Sequence, residues 1–418
     1  MPFRYLLLAS ITLCFSFQTA AQEEDSDKLV VKPVLAFQLW ATYTEGTQIY
    51  DETAQQFSPV DNRLNLLLHR SRIGLKGSYG NQWVYDFTGS LDFVGQDVLA
   101  GTVGGTNNGA SPRFRIWNAL VQYKINPQSE ALYLTAGYMT PLISRESITS
   151  PFTVSSFEKA WSQNYIRRHV TSHPPGRIVG FNAGGFFQND NGKTSFDYNL
   201  GVFNPRFTGA GGNSAGEKFS PLLTYRLAVH IGDAEFNEYS RGHKFNYRGK
   251  RNGATLAISG SQQGDSDLWD SNTSFGLDLL ANFGNLNIAG EWMQLKRKRD
   301  ALSSSATSGF AKLAYHVPLN NEKILEPVLT YVFLYGPTEG REQEEAADLN
   351  AFSGNNTYWE LTLNYYVNAK ARLSLSYTLR DGDIGSLNPE DIINNYFQQG
   401  GLTIQRGNYL GLGLIFTI

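Results

Sequence analysis

The chain has 418 residues, 35 Lys and Arg against 38 Asp and Glu, a formal net charge of −3 and one cysteine. This balance argues against a nucleic-acid binder, and a single thiol excludes a disulfide within the chain. Glycine is frequent at 41 residues and aromatics make up 13%, but nothing beyond the N-terminus reaches the ~20 apolar residues of a membrane helix.

The opening MPFRYLLLASITLCFSFQTAAQ places Arg4 ahead of an apolar run from Tyr5 to Phe17, followed by small residues at Thr19, Ala20 and Ala21. That order is a secretory leader, expected to be cut after Ala21, with residues 22–418 forming one exported domain. Cys14 lies within the leader behind Leu13, where a lipoprotein site would need a small residue, so the exported domain is expected to lack a thiol.

From there the chain alternates with period two. In LAFQLWATY, Leu35, Phe37, Leu39, Ala41 and Tyr43 share one face; in LLLHRSRIGLKGSY, Arg70, Arg72 and Lys76 oppose Ile73, Leu75 and Tyr79. WVYDFTGSLDF sets Trp83, Tyr85, Phe87, Leu91 and Phe93 against Asp86, Thr88, Ser90 and Asp92. FDYNLGV and LLTYRLAVHI repeat the pattern, the latter with Arg226 and His230 on its polar face, and similar runs continue to the terminal YLGLGLIFTI. Extended segments send successive side chains to opposite faces, so about sixteen amphipathic strands are expected. Asp197, Asp278, Glu291, Lys312, Glu360 and Arg372 fall on polar faces at mid-strand, where mutual pairing across neighbouring strands would fix register. PEDIINNYFQQ near 389 is the best helical candidate.

The separators alternate in length. Short turns such as NDNGK and VNAKA are interleaved with long segments near 45–63, 94–112, 140–177, 204–220, 261–273, 296–308, 336–356 and 381–406. Short turns at one end and long loops at the other are the layout of an all-β, transmembrane antiparallel barrel. The stretch 232–252, GDAEFNEYSRGHKFNYRGKRN, is long where a short turn belongs, and the pattern gives no reason for it. Energetics choose the faces: a cation on the lipid side at mid-membrane costs roughly 2–4 kcal/mol. A one-residue slip exposing Arg70, Arg72 and Lys76 together would cost on the order of 6–12 kcal/mol, as much as many folds are worth. Those cations, with Arg226 and Arg372, are therefore expected to line the interior, and the acids listed above make that interior mixed in charge.

Later blocks carry a family resemblance. LTAGYMTPLISRESITS, FEKAW, GRIVGFNAGG and YNLGVFN, with HRSRIGLKGS before them and YWELTLNYY after, resemble in order the phosphate-selective porin O and P family. The chain departs from it in placing Ile178 after Arg177, where the family has an acid, and in ending Phe416-Thr417-Ile418 rather than on Phe. The resemblance implies a homotrimeric, sixteen-stranded diffusion channel of the bacterial outer membrane, without a cofactor, passing small hydrophilic solutes with a lean toward anions such as phosphate. A porin without charge preference, or a non-conducting adhesion or enzyme barrel, are the alternatives. For an enzyme, His69 and Ser71 stand on the apolar side of their strand with no paired acid, which favours a plain rim position.

The segment 140–177 is the longest outer loop and holds Arg145, Lys159, Arg167, Arg168 and Arg177 with His169 and His173. Loops of this length in compact proteins are commonly functional. Its place as third outer loop suggests that it folds inward, with Arg145, Arg167, Arg168 and Arg177 as candidates to narrow the path; a surface loop at a subunit contact is the plainer reading. KRKR at 296–299 is expected at the outer rim, facing lipopolysaccharide phosphates or solvent, and REQEEAAD at 341–348 reads as a solvated acidic loop.

Overall fold

The alternation is realised as strands. The computed structural model describes residues 28–418 apart from 102–112, 174, 190–191, 205–219, 266–268, 321–322 and scattered positions between 387 and 402. The expected leader and Cys14 lie outside the described residues, as does much of the outer loop at 204–220. Among the described residues, sixteen strands form the wall: β1 (Leu29–Glu45), β2 (Arg63–Tyr79), β3 (Trp83–Ser90), β4 (Arg115–Lys124), β5 (Tyr133–Met139), β6 (Ile178–Gln188), β7 (Thr194–Phe203) and β8 (Leu222–Gly232). They continue as β9 (Asn252–Gln263), β10 (Ser271–Phe283), β11 (Leu286–Arg299), β12 (Leu302–Tyr315), β13 (Ile324–Tyr335), β14 (Asn355–Tyr366), β15 (Ala371–Asp383) and β16 (Asn408–Thr417). Each is antiparallel to the next, and β16 returns to β1 with Phe37 opposite Phe416 and Glu45 opposite Asn408. Closure leaves the wall without an unpaired edge.

One face of every strand looks outward and is apolar: Leu66, Phe181, Leu256, Leu361 and Leu412 are all exposed. The other face is polar and enclosed, with Gln38, Asp197, Arg226, Glu326, Glu360 and Asn364 at 1% exposure or less. This is inverted relative to a water-soluble protein, and it is what hydrocarbon outside and an aqueous or protein-filled interior demand. Aromatic side chains gather outside near the short-turn end, where Trp83 packs on Tyr123 at 4.5 Å and Phe187 stacks on Tyr198 at 6.0 Å. Such girdles suit the boundary between hydrocarbon and headgroups.

Two bulges re-aim side chains in the first quarter of the wall. The β1–β2 register shifts between Gln38 and Leu39, opposite Arg70 and Leu68, so His69 is an extra residue in β2. Before it Asn65 and Leu67 are buried, and after it Arg72 is buried and Arg70 half-buried. His69 thus turns inward, contrary to the apolar side that uniform alternation gives it. A second shift, between Thr88 and Gly89, releases Trp117 of β4 from the ladder.

The loops differ from expectation in several places. The segment 296–308 is not a loop: β11 runs to Arg299 and β12 starts at Leu302. Within KRKR, Arg297 points inward and donates to the His169 carbonyl at 3.1 Å and to that of Asn350. The acidic stretch after 340 is helical, Gly340–Asp348, with Gln343 and Ala346 buried. The helix expected from 389 falls largely outside the described residues, and Phe397–Gln398 is instead a short strand paired to Ile404–Gln405. Gln48–Asp51 and Gln56–Pro59 complete that small outer sheet.

Candidate functional site

The third outer loop, 140–177, enters the barrel. Two helices form within it: α1 (Arg145–Ile148), capped by the Ser144 side chain, and α2 (Ser162–Thr171), whose last carbonyls end at Ser172 with a φ of 57°. Nearly every residue from Pro141 to Thr149 and from Val154 to Thr171 is enclosed. Apolar residues of α2 (Tyr165, Ile166 and Val170) pack against Met293, Leu295 and Leu334 inside the wall.

Wall acids hold the loop. Ser144 donates to Glu291 at 2.9 Å and Ser155 to Glu326 at 2.9 Å; the amides of Phe157 and Glu158 donate to the Glu360 carboxylate at 2.8 and 3.2 Å. Lys312 pairs with Glu146 at 3.4 Å. Arg145 donates to Asp278 at 2.7 Å and to Glu235 at 2.8 Å. Arg226 shares Asp278 at 2.9 Å and reaches Asp197 at 3.5 Å, where His230 also lies, 2.9 Å away. Glu291 and Glu360 thus bind loop groups rather than cross-strand partners, because a buried loop brings amides and hydroxyls that need acceptors, while Glu326 also takes Asn364 and Tyr366 of β14 and His316.

At the opposite wall the loop is seated by Phe157, which stacks on Trp40 at 4.3 Å; Trp40 stacks in turn on His69 at 3.4 Å. The slot is open because β16 presents Gly411 and Gly413 there, and a Cβ on either would stand 2.6–2.8 Å from the Phe157 ring. Glu158 takes Arg70 and His69, both at 2.6 Å. Burial by itself would raise the Glu158 carboxyl, but Arg70 and His69 outweigh it and hold it at about 2.

The cations then separate into two groups. Arg145 and Arg226 are taken up by carboxylates, and Arg372 donates to the Val154 carbonyl. Arg168 turns away toward Phe352, 5.8 Å from that ring. Arg70, Arg72, Lys159, Arg167 and Arg177 come together beside β2–β4. The Arg72 guanidinium carbon sits 3.6 Å from the centroid of the Trp117 ring and that of Arg177 sits 3.3 Å from it. Two guanidinium groups cannot share one face at those distances, so the indole is sandwiched between them. Arg72 pairs with Asp92 at 2.8 Å. Arg177 donates to Asn118 and the Pro175 carbonyl, Lys159 to the Thr149 carbonyl at 2.7 Å, and Arg167 to the Ser147 carbonyl at 3.3 Å. Among the described residues, none of these last three has a carboxylate partner. Burial first, then Arg70 and Arg72, push the Arg167 guanidinium down. Gly176, at a φ of 64°, lets Arg167 lie across it, since a Cβ there would meet the side chain at 2.4 Å. Lys76 stands toward the short-turn end, 3.3 Å from Asp86, with its side chain 49% exposed.

Sequence reading did not foresee Trp117, Lys159 or Glu158 in these roles. Lys159 carried a signal as one of the cations of the third outer loop, and Trp117 as an aromatic residue two positions after Arg115; Glu158 carried none. His69 and Ser71 do not meet, since Ser71 Oγ donates to the Leu91 carbonyl.

A closed sixteen-strand barrel, apolar outside and narrowed by its third outer loop, is the architecture of an outer-membrane porin. Residues 42–405 match the phosphate-selective porin O and P family, and the chain belongs to it. The anion-selective porin from Comamonas acidovorans is 15% identical with a TM-score of 0.55, over 94% of this chain and 100% of that one. The outer membrane channel DcaP of Acinetobacter baumannii is 13% identical with a TM-score of 0.53, over 96% and 100%. OprB of Pseudomonas putida is 9% identical with a TM-score of 0.54, over 94% and 95%. No curated protein matches the chain. Family and fold are those of a channel of the bacterial outer membrane rather than of an enzyme.

Proposed function

We propose that this porin is a passive channel preferring small anions, and that Arg70, Arg72, Lys159, Arg167 and Arg177 set the preference. The observation that carries the reading is the uneven use of charge. Acids on β10, β11, β13 and β14 are occupied with the loop, while three cations on the opposite side have no carboxylate partner among the described residues. Cationic side chains on guanidinium and ammonium stems exchange an anion's hydration for charge-assisted contacts, and partial screening by Glu158 and Asp92 keeps occupancy short enough for release. Phosphate and other small oxyanions suit forked guanidinium donors. Lys76 extends the basic side toward the short-turn end; Arg145, Arg226 and Arg372 brace the loop and the wall.

In this reading residues 1–21 are a leader and 22–418 the exported domain, working without catalysis or cofactor. The assembly is a homotrimer by family likeness, set among outer-membrane lipid and lipopolysaccharide, with Lys296, Lys298 and Arg299 near the outer rim. Purified protein in a planar bilayer under a potassium chloride gradient should give stepwise currents and a reversal potential of anionic sign. A cationic sign removes the preference, and an absence of steps removes the channel.

A further inference from the structure

We propose that the periplasmic segment 233–251 is a second constriction element, closing the acid-bearing half of the lumen so that solutes keep to the basic half. It joins β8 to β9, whose ends already meet: the Asp233 amide donates to the Asn252 carbonyl at 2.9 Å. A turn of two residues would connect them. Instead the chain leaves the wall and crosses the interior. The Tyr239 amide donates to Glu130 in the turn between β4 and β5 at 2.8 Å, and its hydroxyl donates to Asn199 of β7. Beside β10 Glu235 holds Arg145 of the outer loop and lies 2.9 Å from His243, whose amide donates to the Ile148 carbonyl at 3.3 Å. Farther on, Phe245 packs with Leu280, Ala289 and Phe310. Asn246 then donates to Glu326 at 2.8 Å, and Arg248 donates to the Ala369 carbonyl in the turn between β14 and β15.

The segment therefore reaches from one side of the periplasmic mouth to the other and meets the outer loop inside the barrel, where Arg145 joins it to Asp278 of β10. The wall on its side holds Glu291 and Glu360, neither ion-paired among the described residues, and Glu326, which takes Asn246 of the segment together with His316, Asn364 and Tyr366. Glu326 and Glu360 are fully enclosed, whereas the Lys76 side chain on the other half is 49% exposed. Opened to water, those carboxylates would draw cations and compete with the basic side. The expected change in selectivity rests on the anion-preferring reading; the narrowing does not.

Replacing 234–251 by Asn-Gly joins β8 to β9 as a tight hairpin, and heat-modifiable migration on gels reports whether the barrel folds. Single-channel conductance should rise about twofold or more, and the reversal potential should move toward cations relative to the unaltered protein. A folded variant with unchanged conductance overturns the proposal, and a rise without the shift overturns the sorting of charge. If the shortened chain does not fold, the full-length double variant Phe245→Ala/Arg248→Ala carries the test: it should raise conductance in the same direction, and unchanged values overturn the proposal. Wild-type channels without anion preference would sink the reading of the preceding subsection, while a rise in conductance on shortening would still sustain the narrowing.

Discussion

Arg167 and Arg168 are neighbours in sequence with opposite fates. One turn of α2 places Arg167 over Gly176 among Arg70, Arg72 and Arg177, and Arg168 against Phe352. Arg167→Ala should therefore move the reversal potential toward zero, whereas Arg168→Ala should leave it within error; equal effects from the two would refute the grouping. Lys159 adds a pH dependence. Burial, then the Arg167 charge, holds its ammonium well below the ordinary lysine range. A lowered cation loses its proton earlier as pH rises, and a bound anion favours the charged form. Anion preference should accordingly weaken as pH is raised, over a range lying below that in which an ordinary lysine loses its proton. Lys159→Arg, which keeps its charge, should flatten that profile in reversal-potential measurements.

Among the elements, the strands were legible because one period governs every one of them, and the exposed leucines fall where alternation puts them. Leu361 is 56% exposed at the middle of β14, between Glu360 and Thr362, which face inward. Leu361→Arg should destabilise the barrel by roughly 2–4 kcal/mol in lipid-vesicle unfolding, while leaving conductance nearly unchanged. A loss well under that range would mean that this face does not meet hydrocarbon. Strand irregularities were not legible. The extra residue at His69 looks like one more step of the alternation, and only pairing with β1 shows that the step is doubled. KRKR failed for a related reason: four cations read as solvent-exposed, but Arg297 found backbone carbonyls inside the mouth.

For the whole molecule, the interior is divided by charge. The two inward segments, 140–177 from outside and 233–251 from the periplasm, meet through Arg145, Glu235 and the Thr149–His243 bridge. The periplasmic segment runs from the β4–β5 turn to β13, the outer loop reaches across to β1 and β2, and the cations without a carboxylate partner among the described residues gather beside β2–β4. Net charge could not have revealed this, since a chain of −3 overall still places five cations together. An arginine's effect on a permeating ion depends on which carboxylate reaches it, and those partners come from strands far apart in the chain.

By itself the sequence determined the barrel: period-two side chains, the cost of a cation in hydrocarbon, and alternating loop lengths leave few other arrangements. It also carried the family in the order of its blocks. The assignment of each charge was decided only by tertiary structure. Alternation says that Arg226 and Arg72 both face inward; it cannot say that two aspartates take up the first and an indole stacks on the second. Local pattern fixes the face a side chain leaves from, while its partners are set by closure of the wall and by the paths of two segments that fold across it.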